Sequence, residues 1–119
     1  MRRQFWGEII KNYGAMVFGL ALVLPIMLIN LLDVPRGLTV DEAAFGLNAS
    51  LLARTGRDEN GRLLPIFALS LGGKDWRQPV TQYYQTVFFK LFGPGVYNLR
   101  LSSVVVTAVA AVLIYELIR

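Results

Sequence analysis

Residues 14 to 32, GAMVFGLALVLPIMLINLL, contain no charged residue. A second apolar stretch, LSSVVVTAVAAVLIYELI, covers residues 101 to 118 and has one charge, Glu116, near its end. A helix rises about 1.5 Å per residue, so about 20 apolar residues cross the hydrocarbon core of a bilayer. The sequence therefore predicts an all-α membrane protein with two transmembrane helices, residues 14–32 and 101–119.

Apolar stretches of this kind have two other interpretations. Two buried helices of a soluble protein are disfavoured because 119 residues are too few to surround both. A cleaved signal peptide would explain the basic start, but the first stretch is too long, contains Pro25 and ends in NLLDVP without a small-residue cleavage pattern. We therefore expect a retained helix.

Charges next to the first stretch predict the orientation. Residues 1–13 carry Arg2, Arg3 and Lys11 against Glu8, which by the positive-inside rule places this end in the cytoplasm. Two spans then leave residues 33–100 as an extracytoplasmic segment. The predicted location is a bacterial or archaeal plasma membrane, and the bilayer is the first expected partner.

Composition excludes several kinds of chemistry. The chain has no cysteine and no histidine, so disulfides, thiol nucleophiles, Cys/His zinc sites and imidazole catalysis are excluded within it. Its net charge of +4 is spread along the chain without a basic block, so nucleic acid is not an expected partner.

The segment between the spans predicts two amphipathic interfacial helices, near residues 40–54 and 79–92. Thr39 and Glu42 have the spacing of a capping box, and Gly56 is the expected C-terminal cap. An apolar stripe continues along the first helix, at Val40, Ala44, Leu47 and Leu51.

Pro79 should begin the second helix and Gly93-Pro94 should end it, with an apolar face of Val80, Tyr84, Val87, Phe88 and Leu91. Between the helices we predict an Asn60-Gly61 turn and a loop over residues 72–79.

Candidate chemistry centres on the adjacent acids Asp41 and Glu42. A carboxylate at a helix start is favoured in its ionised form, so it can accept a proton or bind a cation. The alternative is that both acids only cap the helix, which the capping box explains for Glu42 and leaves open for Asp41.

Asp58 and Glu59 are interpreted as turn residues. The glycosylation sequon at Asn48 falls within a helix and is expected by chance.

The ordered motifs resemble the N-terminal region of GT-C membrane glycosyltransferases. LTVDEAAFGLNASLLARTGRDENGRLLPIF and DWRQPVTQYYQTVFFKLFGPGVYNLRLSSVV are similar to the dolichyl-phosphate-mannose-protein mannosyltransferase family (family 39) and its bacterial aminoarabinose-transferase-like relatives. The shared order is a D-E pair opening a helix, a G-R-D-E-x-G turn, a P-x-x-x-Y-Y helix, L-F-G, and R-L opening a span.

This resemblance implies an enzyme that transfers a sugar from a polyprenyl-phosphate-linked donor to an acceptor hydroxyl. It places the catalytic acids on Asp41 and Glu42, with Asp41 as the base. Cationic or hydrogen-bonding residues would bind the leaving lipid phosphate or the substrates, and the candidates are Lys74, Arg77, Gln78, Tyr83, Tyr84 and Arg100. No cofactor is required by the sequence, and a divalent metal ion is left open.

The chain departs from these relatives in two ways. Many carry Lys immediately before the proline of the second loop helix, where this chain has Gln78, with Arg77 one step earlier. The relatives are also much longer, so we expect an N-terminal fragment that is inactive alone. The alternative function is a small two-span scaffold or accessory subunit without catalytic activity.

Overall fold

The structure is a computed structural model that describes the backbone from residue 2 to residue 119 and side chains from Asn12 onward. It is mostly helical. In chain order it contains α1 (Arg2–Leu28), α2 (Val40–Thr55), β1 (Ala68–Ser70), β2 (Asp75–Arg77), α3 (Pro79–Phe92) and α4 (Val96–Ile118). The basic side chains Arg2, Arg3 and Lys11, on which the predicted orientation depends, lie outside the described side chains.

Two compact units divide the chain. One unit comprises residues 1–30 and 103–119, and the other comprises residues 31–102, which we call the loop unit. Within the first unit, the Tyr115 hydroxyl donates a hydrogen bond to the carbonyl of Asn12. The rings of Tyr13 and Tyr115 lie 6.4 Å apart, so aromatic contacts join α1 to the second half of α4 in this unit.

One described helix, α4, is long and apolar enough to cross a membrane, with a mean hydropathy of 2.2 over its most apolar window. Within α1, the residues Asn12–Leu28 form an apolar stretch of the described part. The helix α1 ends four residues before residue 32, the predicted end of the first span. Leu28 ends the helix, and Asn30 follows with a φ of 58°, a left-handed conformation that Asn tolerates and that helices do not continue through. The second predicted span begins earlier than residue 101, at Val96.

The two helices predicted between the apolar stretches are confirmed. α2 begins after the N-cap Thr39 and ends at Gly56, whose φ of 70° is the left-handed C-cap conformation that glycine adopts without steric cost. α3 begins with Pro79 in its first turn and ends at Gly93. The core of the loop unit contains Ala49, Phe89 and Leu99, which come from α2, α3 and α4.

A small sheet corrects the all-α prediction. β1 and β2 pair antiparallel, with Ala68 opposite Arg77 and Ser70 opposite Asp75. The predicted loop over residues 72–79 therefore contains a strand. Three-residue strands are too short to show the alternating pattern by which strands are predicted. The turn lies one residue earlier than the predicted Asn60-Gly61 turn: the Gly61 amide donates to the Asp58 carbonyl at 3.0 Å, so Glu59 and Asn60 are its central residues. A single bridge pairs Arg57 with Leu63 beyond it.

The loop unit buries polar side chains and exposes apolar ones. α3 turns Gln82, Gln85 and Thr86 inward, whereas Val80, Val87 and Leu91 of its predicted apolar face are exposed. Phe88 of that predicted face is buried. On α2 the buried face is not the predicted stripe, because it includes Ala44 but leaves Val40 and Leu47 exposed and buries the polar residue Asn48 instead. An exposed apolar stripe over a polar interior is what a helix lying against lipid or another protein surface requires.

Candidate functional site

The acidic pair lies in the first turn of α2, where the predicted capping box is present. The Thr39 hydroxyl accepts a hydrogen bond from the Glu42 amide at 3.1 Å, and Glu42 Oε2 accepts one from the Thr39 amide at 2.9 Å. Each bond satisfies a backbone donor that has no partner within the helix. The cap therefore fixes the backbone that carries both carboxylates.

Glu42 is also the partner of a buried arginine. Arg100 Nε donates to Glu42 Oε1 at 2.8 Å, and the Arg100 side chain is only 6% exposed. The hydrogen bond from Arg100 is the largest influence on this carboxyl and lowers its pKa; partial burial opposes the shift, and the Thr39 amide adds to it. Glu42 is thus an ionised structural group at neutral pH.

The guanidinium of Arg100 uses the rest of its donors on one short segment. Nη1 donates to the carbonyls of Leu31 and Leu32, and Nη2 donates to the carbonyls of Pro35 and Gly37. Nη2 also donates to Glu42 Oε2 at 3.4 Å, so these bonds together with the one from Nε engage all five N–H groups of the arginine. The predicted role of Arg100 in binding a leaving phosphate would require some of these bonds to break.

Asp41 has a partner that its sequence position did not reveal. Arg77 Nη1 donates to Asp41 Oδ1 at 2.8 Å, although the two residues are 36 positions apart. The carboxylate side chain is 78% exposed, whereas the Arg77 side chain is 7% exposed. An accessible carboxylate is therefore paired with a buried cation, which is a structural contact that the capping box did not account for.

Arg77 is held from three sides. Its position in β2, opposite Ala68, directs the side chain inward. Nη2 lies 2.8 Å from Asp75 Oδ2, an ion pair without hydrogen-bond geometry, and the guanidinium carbon lies 5.0 Å from the centre of the Phe45 ring. Among the described contacts, Nε and Nη2 are buried and form no hydrogen bond, and Nη2 faces the carboxylate of Asp75.

The remaining predicted site residues make other contacts. Lys74 is exposed in the turn between β1 and β2, and Gln78 is the exposed N-cap of α3, without a side-chain capping bond. The Tyr83 hydroxyl donates to the Pro65 carbonyl at 2.7 Å, and the Tyr84 hydroxyl donates to the Ser102 carbonyl at 3.0 Å. Burial raises the pKa of both tyrosines, and nearby Asp58 adds to the rise at Tyr83, so both remain protonated donors. The structure thus brings Asp41, Glu42, Arg77 and Arg100 together at the start of α2.

An interior polar network was missed by sequence reasoning. Asn48 is fully buried, donating from Nδ2 to Ser70 Oγ at 2.7 Å and accepting the Glu59 amide on Oδ1 at 2.9 Å. Asp58 Oδ1 accepts the amides of Asn60 and Arg62, which confirms its prediction as a turn residue. The sequon offered the only sequence signal at Asn48, and burial makes that asparagine inaccessible to glycosylation.

An apolar groove adjoins Glu42. It has a volume of about 190 Å³ and lies between α2, the end of α3 and the start of α4. Gly46 is part of its wall, and a Cβ added there would come within 3.2 Å of Leu99 Cδ2. In the part of the chain that the structure describes, no three acidic side chains converge as a metal site would require.

Comparison with known proteins identifies no matching family model, no similar curated protein and no similar solved structure.

Proposed function

We propose that this chain is the N-terminal part of a GT-C membrane glycosyltransferase that uses a polyprenyl-phosphate-linked sugar and acts at the extracytoplasmic face. The observation that carries the proposal is the arrangement of the acidic pair. Asp41 presents an exposed carboxylate on a buried cation, whereas Glu42 is used for the helix cap and for Arg100. Such a division gives one acid a free oxygen for chemistry and the other a structural role.

In the proposed reaction Asp41 is the general base. The acceptor hydroxyl oxygen forms a bond to the anomeric carbon while the bond from that carbon to the phosphate oxygen breaks. The hydroxyl proton passes to Asp41, and the lipid phosphate leaves with the bonding electron pair in an inverting displacement. Arg77 orients Asp41 through the 2.8 Å bond, and its positive charge favours the negative charge that develops on the phosphate.

The proposed membrane arrangement has two spans. The apolar part of α1, Asn12–Leu28, would be the first and α4 the second, with residues 33–100 outside the cytoplasm. The exposed stripe of Val80, Val87 and Leu91 on α3 supports contact with the bilayer surface. The apolar groove beside Glu42 supports a substrate with an apolar tail near the acidic pair.

The test is sugar transfer from a polyprenyl-phosphate donor by the full-length protein that contains this sequence. Asp41→Asn removes the basicity but preserves the shape, so turnover should fall by roughly 10²- to 10⁴-fold, the usual contribution of a positioned base. Glu42→Gln can still cap the helix and should cost less. Asp33→Asn, which alters another exposed acid of the same unit, is the matched control and should retain full transfer.

A two-span scaffold without chemistry is the second candidate function. The observation that favours it is that both carboxylates have structural partners, Arg77 for Asp41 and Arg100 for Glu42. If none of the three variants loses transfer, the acidic pair is structural and Asp41 is not the base. If the unaltered protein shows no sugar transfer, the scaffold is the better description. If Glu42→Gln abolishes transfer and Asp41→Asn does not, the two acids have the opposite roles.

A further inference from the structure

A cluster of exposed apolar side chains lies between α2 and α3, apart from the acidic pair. Within fourteen residues, six large apolar side chains are more than 40% exposed. We call them the hairpin patch: Leu63, Leu64, Ile66, Phe67, Leu71 and Trp76. Soluble proteins rarely leave so many neighbouring apolar side chains in water, so this surface is expected to have a partner.

Specific contacts fix the two segments that carry the patch, which are the loop before β1 and the β1–β2 hairpin. The Leu64 amide donates to the Gly56 carbonyl at 2.8 Å, which fixes the start of the apolar loop against the end of α2. Trp76 lies in β2, opposite Leu69. The guanidinium carbon of Arg62 lies 5.2 Å from the centre of the Trp76 ring, so a cation–π contact joins the loop to the hairpin.

The charges around the patch are arranged by sign. The bases Arg57, Arg62 and Lys74 are exposed. The nearby acids are turned inward or paired, since Asp58 is buried and Asp75 contacts Arg77 at 2.8 Å. The third acid, Glu59, is half-buried and accepts the Gly72 amide at 3.3 Å. The rim of the patch is therefore positive, which suits an anionic partner.

We propose that the hairpin patch binds the headgroup region of a bilayer that contains anionic lipid. Tryptophan paired with arginine, beside leucine and phenylalanine and within a basic rim, is the composition that partitions into that region. A second copy of the chain is disfavoured, because a two-fold interface would bring the same basic residues together. α4 begins in the loop unit and continues as the candidate span, so the chain itself links the unit that carries the patch to a bilayer. This surface is independent of the proposed glycosyltransferase activity.

The experiment follows Trp76 in the whole chain. Trp6→Phe leaves it as the single tryptophan, and the protein is reconstituted at a low protein-to-lipid ratio with brominated phosphatidylcholine as a quencher. Vesicles either lack phosphatidylglycerol or contain about one-third of it, enough for a strongly negative surface. Bromolipid quenching of Trp76 should increase in the anionic vesicles, and quenching by acrylamide, which is neutral, should decrease.

Paired variants test the basic rim. The double variant Arg62→Gln, Lys74→Gln should weaken the binding of the hairpin patch to the anionic surface about 25-fold. Each basic side chain near an anionic surface contributes about five-fold to such binding. Each variant is compared with itself in the two lipids, so any direct effect of Arg62 on the emission of Trp76 cancels. Arg36→Gln with Lys90→Gln removes two other exposed charges of the loop unit and should leave the response unchanged.

Three results would overturn the proposal. The first is equal quenching of Trp76 in both kinds of vesicle. The second is an equal loss of response in both paired variants, which would indicate a general effect of net charge. The third is protection of Trp76 that rises with the protein-to-lipid ratio instead of with anionic lipid, which would identify a second copy as the partner.

Discussion

Replacing Arg100 with methionine is the sharpest test of how the loop unit is held together. Met has a similar length and no charge, so Arg100→Met removes the ion pair with Glu42 and the bonds to four carbonyls while leaving the space filled. Three of these carbonyls belong to Leu32, Pro35 and Gly37, which are exposed residues. The segment from Leu31 to Gly37 should therefore detach before the rest of the unit unfolds.

The size of the effect follows from burial. Breaking a buried, hydrogen-bonded ion pair costs about 3–5 kcal/mol. Here the Glu42 side chain is 25% exposed and the released carbonyls can bind water, so we expect about 2–4 kcal/mol. A loss of about 2 kcal/mol corresponds to roughly a 30-fold increase in the population of the detached segment.

Trypsin reports this detachment directly, because Arg36 lies within the segment. Cleavage after Arg36 requires the chain to open locally, and when opening is fast the cleavage rate follows the open population. Mass spectrometry of the protein in detergent measures the rate at Arg36 and at Arg62 in the same digestion. We expect cleavage at Arg36 to accelerate about 30-fold or more in Arg100→Met, with little change at Arg62.

Arg54→Met is the matched control, since it removes another arginine, exposed in the last turn of α2. Its cleavage at Arg36 should equal that of the unmodified protein. If Arg100→Met leaves the rate at Arg36 unchanged, Arg100 does not hold the segment. If the rates at Arg36 and Arg62 rise together, the arginine stabilises the whole unit and local detachment is the wrong explanation.

Three further predictions concern other parts of the loop unit. The folded pKa of Glu42 lies below its ordinary value of 4.5, so the stability that this carboxylate contributes is complete above that pH and is lost as the pH falls through the folded pKa. The melting temperature should therefore drop on acidification below 4.5. A drop of equal size in Glu42→Gln would contradict this. Asn48→Ala leaves the Glu59 amide without its acceptor and should cost about 1–3 kcal/mol in a thermal or denaturant melt, whereas an effect near zero would mean that water replaces the side chain. Arg54→Cys introduces a single thiol into a chain without cysteine, and an impermeant maleimide should label it in intact cells; labelling only after permeabilisation would reverse the proposed orientation.

Local features of the loop unit were predictable from sequence. The three-residue spacing of Thr39 and Glu42 defines a capping box, and Pro79 and Gly93 mark the ends of α3, because the signals for these features lie within a few residues of one another. The hairpin was not predictable in this way. Its strands have three residues each, and the turn between them depends on Gly72 and Gly73, with φ of 65° and 87°.

The contacts of the candidate site could not be obtained from one sequence. Asp41 and Arg77 are 36 positions apart, and Glu42 and Arg100 are 58 apart. Neither pair has a periodicity or motif that joins it, because such pairing is created by the packing of α2 against the hairpin and α4. The sequence predicted which acids and bases are candidates, and the structure shows how they pair and which acid has an accessible carboxylate.

The distance along the chain between Arg100 and its partners also fixes the order in which the protein can be assembled during synthesis. Its carbonyl partner Leu31 precedes it by 69 residues and its carboxylate partner Glu42 by 58. At about 5–20 residues per second, a ribosome needs roughly 3 to 14 s to make the intervening chain. The capping box joins Thr39 and Glu42, which are close in sequence, so it can form as soon as they are made. The segment before it can be held only after Arg100 has been made. In a nascent chain that stalls before Arg100, the segment from Leu31 to Gly37 therefore lacks its hydrogen-bond partner and is exposed to proteases and chaperones. Once Arg100 is available to fold, its hydrogen bonds end that exposure.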